Sequence, residues 1–298
     1  MKSYGETVRE IRLKKGIKQK ELYQDILSKS FAIQFEKGEH EVVLSTFEQL
    51  LERLGVEFEE FKLIQREYRS DEIRKLNHHF SIAANNYDVK SLYKLKTKLE
   101  EFETKGSASE ILRLQIQLVI GHIFKNQGIE FSKMEYGQDV EKIQAYLLSK
   151  ETWFLQEIKL YLNVLPHFQY ELNMYLMPRV LKSMDNYQEG EEHKFVLSLL
   201  LCNFLSVALE KEEQVAQDIV PYFHILDELT KDPMLALERT VYLFILGKYE
   251  YKMEKQRSGL IKMKQAISMM EILDYPSFVQ GMAHDLKEME NTRIFDEK

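Results

Sequence analysis

The chain has 298 residues, 44% of them apolar, and a net charge of −7, enough for a well-buried core in one large or two ordinary domains. Twelve glycines and five prolines are too few turn formers for an all-β architecture. The one cysteine, Cys202, excludes an intramolecular disulfide and any metal site built on paired thiolates.

Residues 5–38, GETVREIRLKKGIKQKELYQDILSKSFAIQFEKG, read as three short helices broken by tight turns. Val8 and Ile11 give the first an apolar stripe, and Gly16 stops it. Leu22 and Ile26, four apart, form the inner face of the second. After a turn around 27–29, a third helix runs from about Ser30. Phe31, Ala32 and Phe35 fall on one side of it, and Ser30, Ile33, Gln34 and Lys37 on the other. That wet side mixes hydrogen-bonding groups with one compact apolar residue, as reading base edges in a major groove requires. The pattern is a helix-turn-helix. Charge agrees: residues 1–38 hold nine Lys or Arg and five acids, a net +4, which leaves −11 on the rest. Phosphate affinity is local, so a basic head on an acidic body suits a DNA-binding domain joined to a sensing or oligomerising module. Read without the helix pattern, the same charges are simply a solvated face.

Arg12, Gln19 seven residues on, and Glu36-Lys37-Gly38 closing the third helix resemble the lambda-repressor-like, Xre-type domain. The resemblance implies that Arg12 pairs with Glu36 as a structural ion pair and that Gln19 touches phosphate or a base. The stretch 28–61, with Ser28, Ser30-Phe31, Phe35-Glu36 and Gly38 followed by a leucine-rich run, is similar to the Rgg/GadR/MutR branch of transcriptional regulators. Two positions depart from the pattern. Lys18 stands at the second helix's N-cap, where Ser or Thr is preferred. Ile33 stands where a small polar residue is usual, which bears on operator identity. Lys29, Ser30, Ile33, Gln34 and Lys37 are expected to face the major groove, and Lys14, Lys15, Lys18, Gln19, Lys20 and His40 to meet phosphates.

Helices over 42–54, ended by Gly55, and 58–69 complete the N-terminal domain, predicted as residues 1–69. Residues 70–298 form the second. No Gly/Ser-rich or Pro-rich linker separates them, which predicts a stiff connection. From residue 72 helix follows helix, near 72–86, 88–104, 107–127, 137–149, 152–165, 168–187, 193–211, 214–230, 234–255, 258–273 and 276–291. Short breaks make neighbours antiparallel, and their recurrence predicts a tetratricopeptide-like α-solenoid in an all-α chain. The strict repeat consensus is absent, and a closely packed irregular bundle is the alternative. Leu243, Phe244, Gly247 and Tyr251 carry a small-plus-aromatic repeat pattern. The Rgg-like resemblance separately implies a degenerate repeat domain here.

A curved solenoid offers an inner surface to an extended peptide, whose main-chain amides need bidentate partners such as Asn. Asn163 and Asn203 are the candidates, and each has a plainer role in capping or bridging helices. Asn203 stands within LLLCNFL, where a buried amide without partners would cost about 1–3 kcal/mol. Tyr170 and Arg179 share the next helix. Arg179 suits a peptide carboxylate or, more simply, a surface ion pair. The resemblance implies a short, hydrophobic signalling peptide as ligand, hence quorum sensing, and a homodimer with its seam in the C-terminal repeats. Seven of twelve methionines fall after residue 230, as core filling, a dimer seam or an adaptable groove.

No secretory signal opens the chain, and the apolar run 196–209 is short of the about 20 residues of a membrane span. A cytoplasmic setting follows. No phosphate loop, nucleophile elbow or H-E-x-x-H pair occurs. His78 and His79 would diverge by about 100° on a helix, a poor metal site. The sequence therefore predicts a peptide-controlled, DNA-binding regulator, not an enzyme, with no cofactor or metal. A protein-binding adaptor, or a regulator sensing a metabolite or protons, are the alternatives.

Overall fold

The computed structural model describes residues 2–69, 71–101, 107–126, 133–190, 192–210 and 216–291. Every regular element among them is helical. The chain divides into two compact units between His78 and His79, inside one helix.

The first unit begins with α1 (Tyr4–Lys14), α2 (Gln19–Tyr23), α3 (Lys29–Glu36), α4 (Leu44–Leu54) and α5 (Phe58–Gln65). Ser3 starts α1 with a capping box: its Oγ accepts the Glu6 N–H at 3.2 Å, and the Glu6 carboxylate accepts the Ser3 N–H at 2.7 Å. Ser28 caps α3 from its Oγ, one residue earlier than expected. Gly16, Gly38 and Gly55 adopt positive φ at the ends of α1, α3 and α4, which lets the chain turn sharply after each. Val8, Leu22, Phe35, Leu50 and Phe61 are buried at the centre. Phe31 packs only at the edge of this core. Helix α1 crosses α3 so closely that a Cβ on Gly5 would stand 1.6 Å from the Phe35 carbonyl oxygen. Helix α5 stops short of the predicted residue 69, because Glu67 and Tyr68 take left-handed φ values of 54° and 61°.

The second unit follows the predicted series. After α6 (Glu72–Asn85) come α7 (Val89–Glu101), α8 (Ser107–Asn126), α9 (Lys133–Leu148), α10 (Leu155–Val164) and α11 (Tyr170–Met184). The last five are α12 (His193–Ala208), α13 (Ala216–Leu229), α14 (Ala236–Lys252), α15 (Ser258–Ile272) and α16 (Pro276–Asn291). Helices pack on their sequence neighbours, α7 on α8, α12 on α13 and α14 on α15, and α12 also packs on α14. This is the stacking of helical hairpins expected of a repeat. Trp153, Tyr161, Leu176, Leu200 and Phe204 centre the larger core. A smaller core holds Met263, Met270, Met282 and Met289, so four of the late methionines fill space. Helices α14 and α15 meet at Gly247 and Gly259: a Cβ on the first would lie 2.6 Å from the Gly259 oxygen, and on the second 2.3 Å from the Gly247 oxygen.

Candidate nucleic-acid interface and helical-repeat site

One buried carboxylate ties together the three helices of the N-terminal reader. Arg12 on α1 donates from Nε to Glu36 Oε1 at 2.6 Å and from its second terminal nitrogen to Oε2 at 2.9 Å. Both side chains are buried. The third nitrogen of the guanidinium donates to the Ile17 carbonyl at 2.9 Å, which fixes the α1–α2 turn. From α2, Gln19 Nε2 donates to Glu36 Oε2 at 3.0 Å and the Tyr23 hydroxyl to Oε1 at 2.9 Å. Gln19 and Tyr23 are four residues apart and so share a helix face. Burial pushes the Glu36 carboxyl up, but donors from Arg12, Tyr23 and Gln19 hold it below the usual carboxylate range. Burial and the Glu36 charge push the Tyr23 phenol up, so it remains a donor.

With its inner face held this way, α3 turns Lys29, Ser30, Ile33, Gln34 and Lys37 to solvent. Ser30, Ile33, Gln34 and Lys37 follow the spacing of a single face. Ile33 is 36% exposed, an apolar spot among polar neighbours. Lys18 and Lys20 are exposed at the start of α2, and the missing hydroxyl cap at Lys18 is partly replaced by Glu21, which accepts the Lys18 N–H at 2.8 Å.

Several predicted phosphate contacts have partners within the protein. Lys14 pairs with Glu10 at 2.6 Å. Lys15 Nζ donates to the carbonyls of Leu54 and Gly55 at 2.7 and 3.0 Å and so closes the end of α4. Gln19 is engaged by Glu36, and the His40 ring stacks on Phe31 with centroids 5.1 Å apart. Tyr23 was missed by the sequence reading, although its position one turn after Gln19 was a usable signal. Arg53 was missed too; it donates to the Leu22 and Gln24 carbonyls and closes α2 from α4.

In the second unit the expected peptide contacts are dispersed. Asn163 is exposed in the last turn of α10. Asn203 is also exposed, which corrects the expectation of a buried amide in an apolar helix. The apolar residues of α12 at 197, 200, 201, 204, 205 and 208 face inward and leave 203 outside. Its Nδ2 donates to the Leu162 carbonyl at 3.4 Å, beside Asn163. A buried asparagine of this unit is instead Asn173, which accepts from the Tyr161 hydroxyl at 2.8 Å and donates to the Leu165 carbonyl at 3.0 Å. Arg179 lies over the Trp153 indole, 5.2 Å from its centroid. Tyr170 is buried at the start of α11 with no hydrogen-bond partner for its hydroxyl, and burial beside Asp218 pushes it up to about 12. Cys202 is buried, which pushes its thiol up to about 12 and leaves it a small core residue. Among the described residues, no group of three His, Cys, Asp or Glu could hold a metal, and no helix is long and apolar enough to cross a membrane.

The sequence profile for the C-terminal domain of the HTH-type transcriptional regulator Rgg matches residues 90–284, well over half of the chain. The chain belongs to the Rgg family. Among solved structures, a protein assigned as a transcriptional regulator in Listeria monocytogenes EGD-e is 26% identical, with a TM-score of 0.81 over 98% of this chain and 99% of that one. The Streptococcus dysgalactiae SHP pheromone receptor Rgg2 is 23% identical, with a TM-score of 0.74 over 96% and 99%. PrgX in its complex with cCF10 is 17% identical, with a TM-score of 0.68 over 99% and 95%, a likeness of fold. No curated protein matches the chain in sequence. Membership of the Rgg family makes this an all-helical transcriptional regulator with a helix-turn-helix at its amino-terminal end.

Proposed function

We propose that this regulator reads an operator through α3 as a homodimer, and that a short hydrophobic signalling peptide held by the helical repeats controls its DNA affinity. Residues 1–69 are the DNA-binding part, and 70–298 bind the peptide and dimerise. The observation that carries the reading is the outward row Ser30, Ile33, Gln34 and Lys37, kept in place by Glu36 and its donors. Gln34 has the amide geometry to read adenine, and Ile33 offers an apolar contact for a thymine methyl. Lys29 and Lys37 flank them. Exposed Lys18 and Lys20 meet phosphates, joined by Lys14, His40 and the outer parts of Lys15 and Gln19.

Asn163, Asn203, Tyr170 and Arg179 are the proposed peptide contacts. Asn203 reaches the turn of α10 that carries Asn163, so a peptide laid along α10 and α12 could take both amides. The Tyr170 hydroxyl is a donor awaiting an acceptor. The related Rgg2 is a pheromone receptor and PrgX has been solved with cCF10, which supports a peptide ligand here. Such a peptide shifts the regulator between states only by the difference in its affinity for them. The protein acts in the cytoplasm, by binding and not by chemistry.

Genomic footprinting would supply the operator, and gel-shift titration with and without a low-molecular-weight peptide fraction would test control. A reproducible, protease-sensitive change in operator affinity is expected. A change that survives protease treatment would assign control to a metabolite instead. Gln34→Ala should lose about 1–3 kcal/mol of discrimination at one base pair. Unaltered base preference in that variant would show that α3 lies in another register on DNA.

A further inference from the structure

Helix α15 is apolar on two faces. Its inner face, with Met263, Ala266, Ile267 and Met270, fills the smaller core, which α14 and α16 share. Its outer face carries Ile261, Met269 and Ile272, all exposed, and Ile272 is 84% open to solvent. The corresponding helix one hairpin earlier is built differently. The exposed residues of α13 are Gln217, Asp218, Pro221, His224 and Glu228, with no aliphatic side chain among them. A helix that is apolar all round is ordinarily covered on both sides.

The outer residues of α15 belong to a cluster. Met269 has Ile272 and Leu273 three and four positions on, the spacing of neighbours on one helix surface. The chain then turns through Asp274, at a φ of 57°, and the Tyr275 N–H returns to the Met270 carbonyl at 3.0 Å. Tyr275 is thereby folded against the last turn of α15, and its ring meets Phe278 of α16 edge-on, with centroids 6.2 Å apart. Leu273, Tyr275 and Phe278 are exposed as well. Single exposed apolar side chains are ordinary, but five that adjoin mark a surface that meets something. Methionine and the aromatic residues are also the types enriched where proteins dock.

The charges around the cluster have one sign. Between Lys264 and Lys287 the sequence holds Glu271, Asp274 and Asp285 and no Lys or Arg. Asp285 is taken by Lys248 at 2.8 Å, and Lys264 by Glu290 at 2.8 Å. Glu271 and Asp274 are exposed and enter no ion pair among the described residues. Glu271 stands in the last turn of α15, where a carboxylate faces the negative end of the helix dipole, so the fold itself gains nothing from it.

We propose that this α15–α16 corner docks a partner protein through a cationic amphipathic helix. The partner's apolar stripe lies on Met269, Ile272 and Leu273, and its lysines or arginines meet Glu271 and Asp274. Charge chooses this occupant over a second copy of the chain. Two copies joined about the cluster would set Glu271 and Asp274 of one against the same carboxylates of the other, with no cation between them. The assignment is independent of operator reading and of control by a signalling peptide.

The test uses the full-length protein and fluorescein-labelled model helices, each about five turns long. One is an amphipathic helix of leucine and lysine, the second replaces its lysines by glutamate, and the third replaces its leucines by serine. In fluorescence anisotropy the leucine–lysine helix should bind saturably, and the other two more weakly by about tenfold or more. Met269→Ser combined with Ile272→Ser should weaken it by about tenfold without lowering the melting temperature, since both side chains are exposed. Glu271→Lys combined with Asp274→Asn should do the same and narrow the preference for lysine over glutamate. Glu228→Lys, on the outer face of α13, should leave binding as it was. Equal binding in both double variants, or a glutamate helix bound as tightly as the lysine one, would overturn the assignment. So would a fall in oligomeric state of the Met269→Ser, Ile272→Ser variant in analytical ultracentrifugation, which would make this face a seam between copies.

Discussion

In the N-terminal unit, Arg12, Gln19 and Tyr23 from two helices converge on one buried carboxylate of a third. In the second unit, α14 and α15 approach backbone to backbone where Gly247 faces Gly259. The first device sets an angle, because three directed donors are satisfied only when α1, α2 and α3 stand in one arrangement. The second sets a distance and leaves side chains on either side to fill the seam. The proposed reading of base edges needs the angle, since a small tilt of α3 would carry Gln34 away from the base it is proposed to meet. A stack of hairpins needs closeness repeated from one pair to the next.

The comparison breaks most severely at Glu36. Glu36→Ala leaves a buried guanidinium unpaired and should destabilise the first unit by about 3–5 kcal/mol. The one tryptophan, Trp153, lies in the second unit and reports on it alone. In denaturant, the variant should lose helical circular dichroism early while Trp153 fluorescence stays native. Acid should act on the same point. The folded Glu36 titrates below its unfolded value near 4.5, so its contribution is complete above that pH and is lost as pH falls through the folded pKa. Glu36→Gln should flatten the acid dependence of the first unit below pH 4.5, and an unchanged acid profile would remove Glu36 from the mechanism.

Tyr23→Phe deletes one donor to that charged acceptor and should cost about 1.5–3 kcal/mol, again in the early transition. Gly247→Ala probes the other device. Its methyl would press on the Gly259 oxygen at 2.6 Å, which should cost about 1–3 kcal/mol and move the transition seen by Trp153. If both variants shifted the same transition equally, the units would unfold as one and the contrast between them would fail.

How much of this was legible follows the same division. The Arg12–Glu36 pair came from the resemblance to the Xre-type domain, and the outward row of α3 from spacing within a short, strongly patterned stretch. Tyr23 escaped because its ring reads as core and only its hydroxyl takes part in the network. The helix series of the second unit was legible from breaks such as Asp232-Pro233, where Asp232 caps the following turn through Met234. The roles of its asparagines were not. Asn203 looked buried because the window around it is apolar, but helical phase turns that position outward, and an asparagine that is buried, Asn173, stands in a more mixed stretch. Composition reports how apolar a helix is, and burial depends on which face meets a neighbour.

The smallest expected effect is the one that best separates reading from holding. Lys20 is exposed and takes no part in the Glu36 network, so Lys20→Ala should change stability by no more than about 0.5 kcal/mol. Its effect belongs to DNA. Removing its proposed phosphate contact should weaken binding to every duplex by a similar factor and lower the slope of log affinity against log salt by about 1. Tyr23→Phe makes the converse case: its side chain is buried, so loss of operator binding in that variant should track loss of folded head and leave the salt slope as it was. A salt slope that Lys20→Ala leaves unchanged would place the start of α2 away from the DNA backbone. A slope that Tyr23→Phe alters would mean that the buried network also tunes how the head meets DNA, and the separation between holding and reading would be lost.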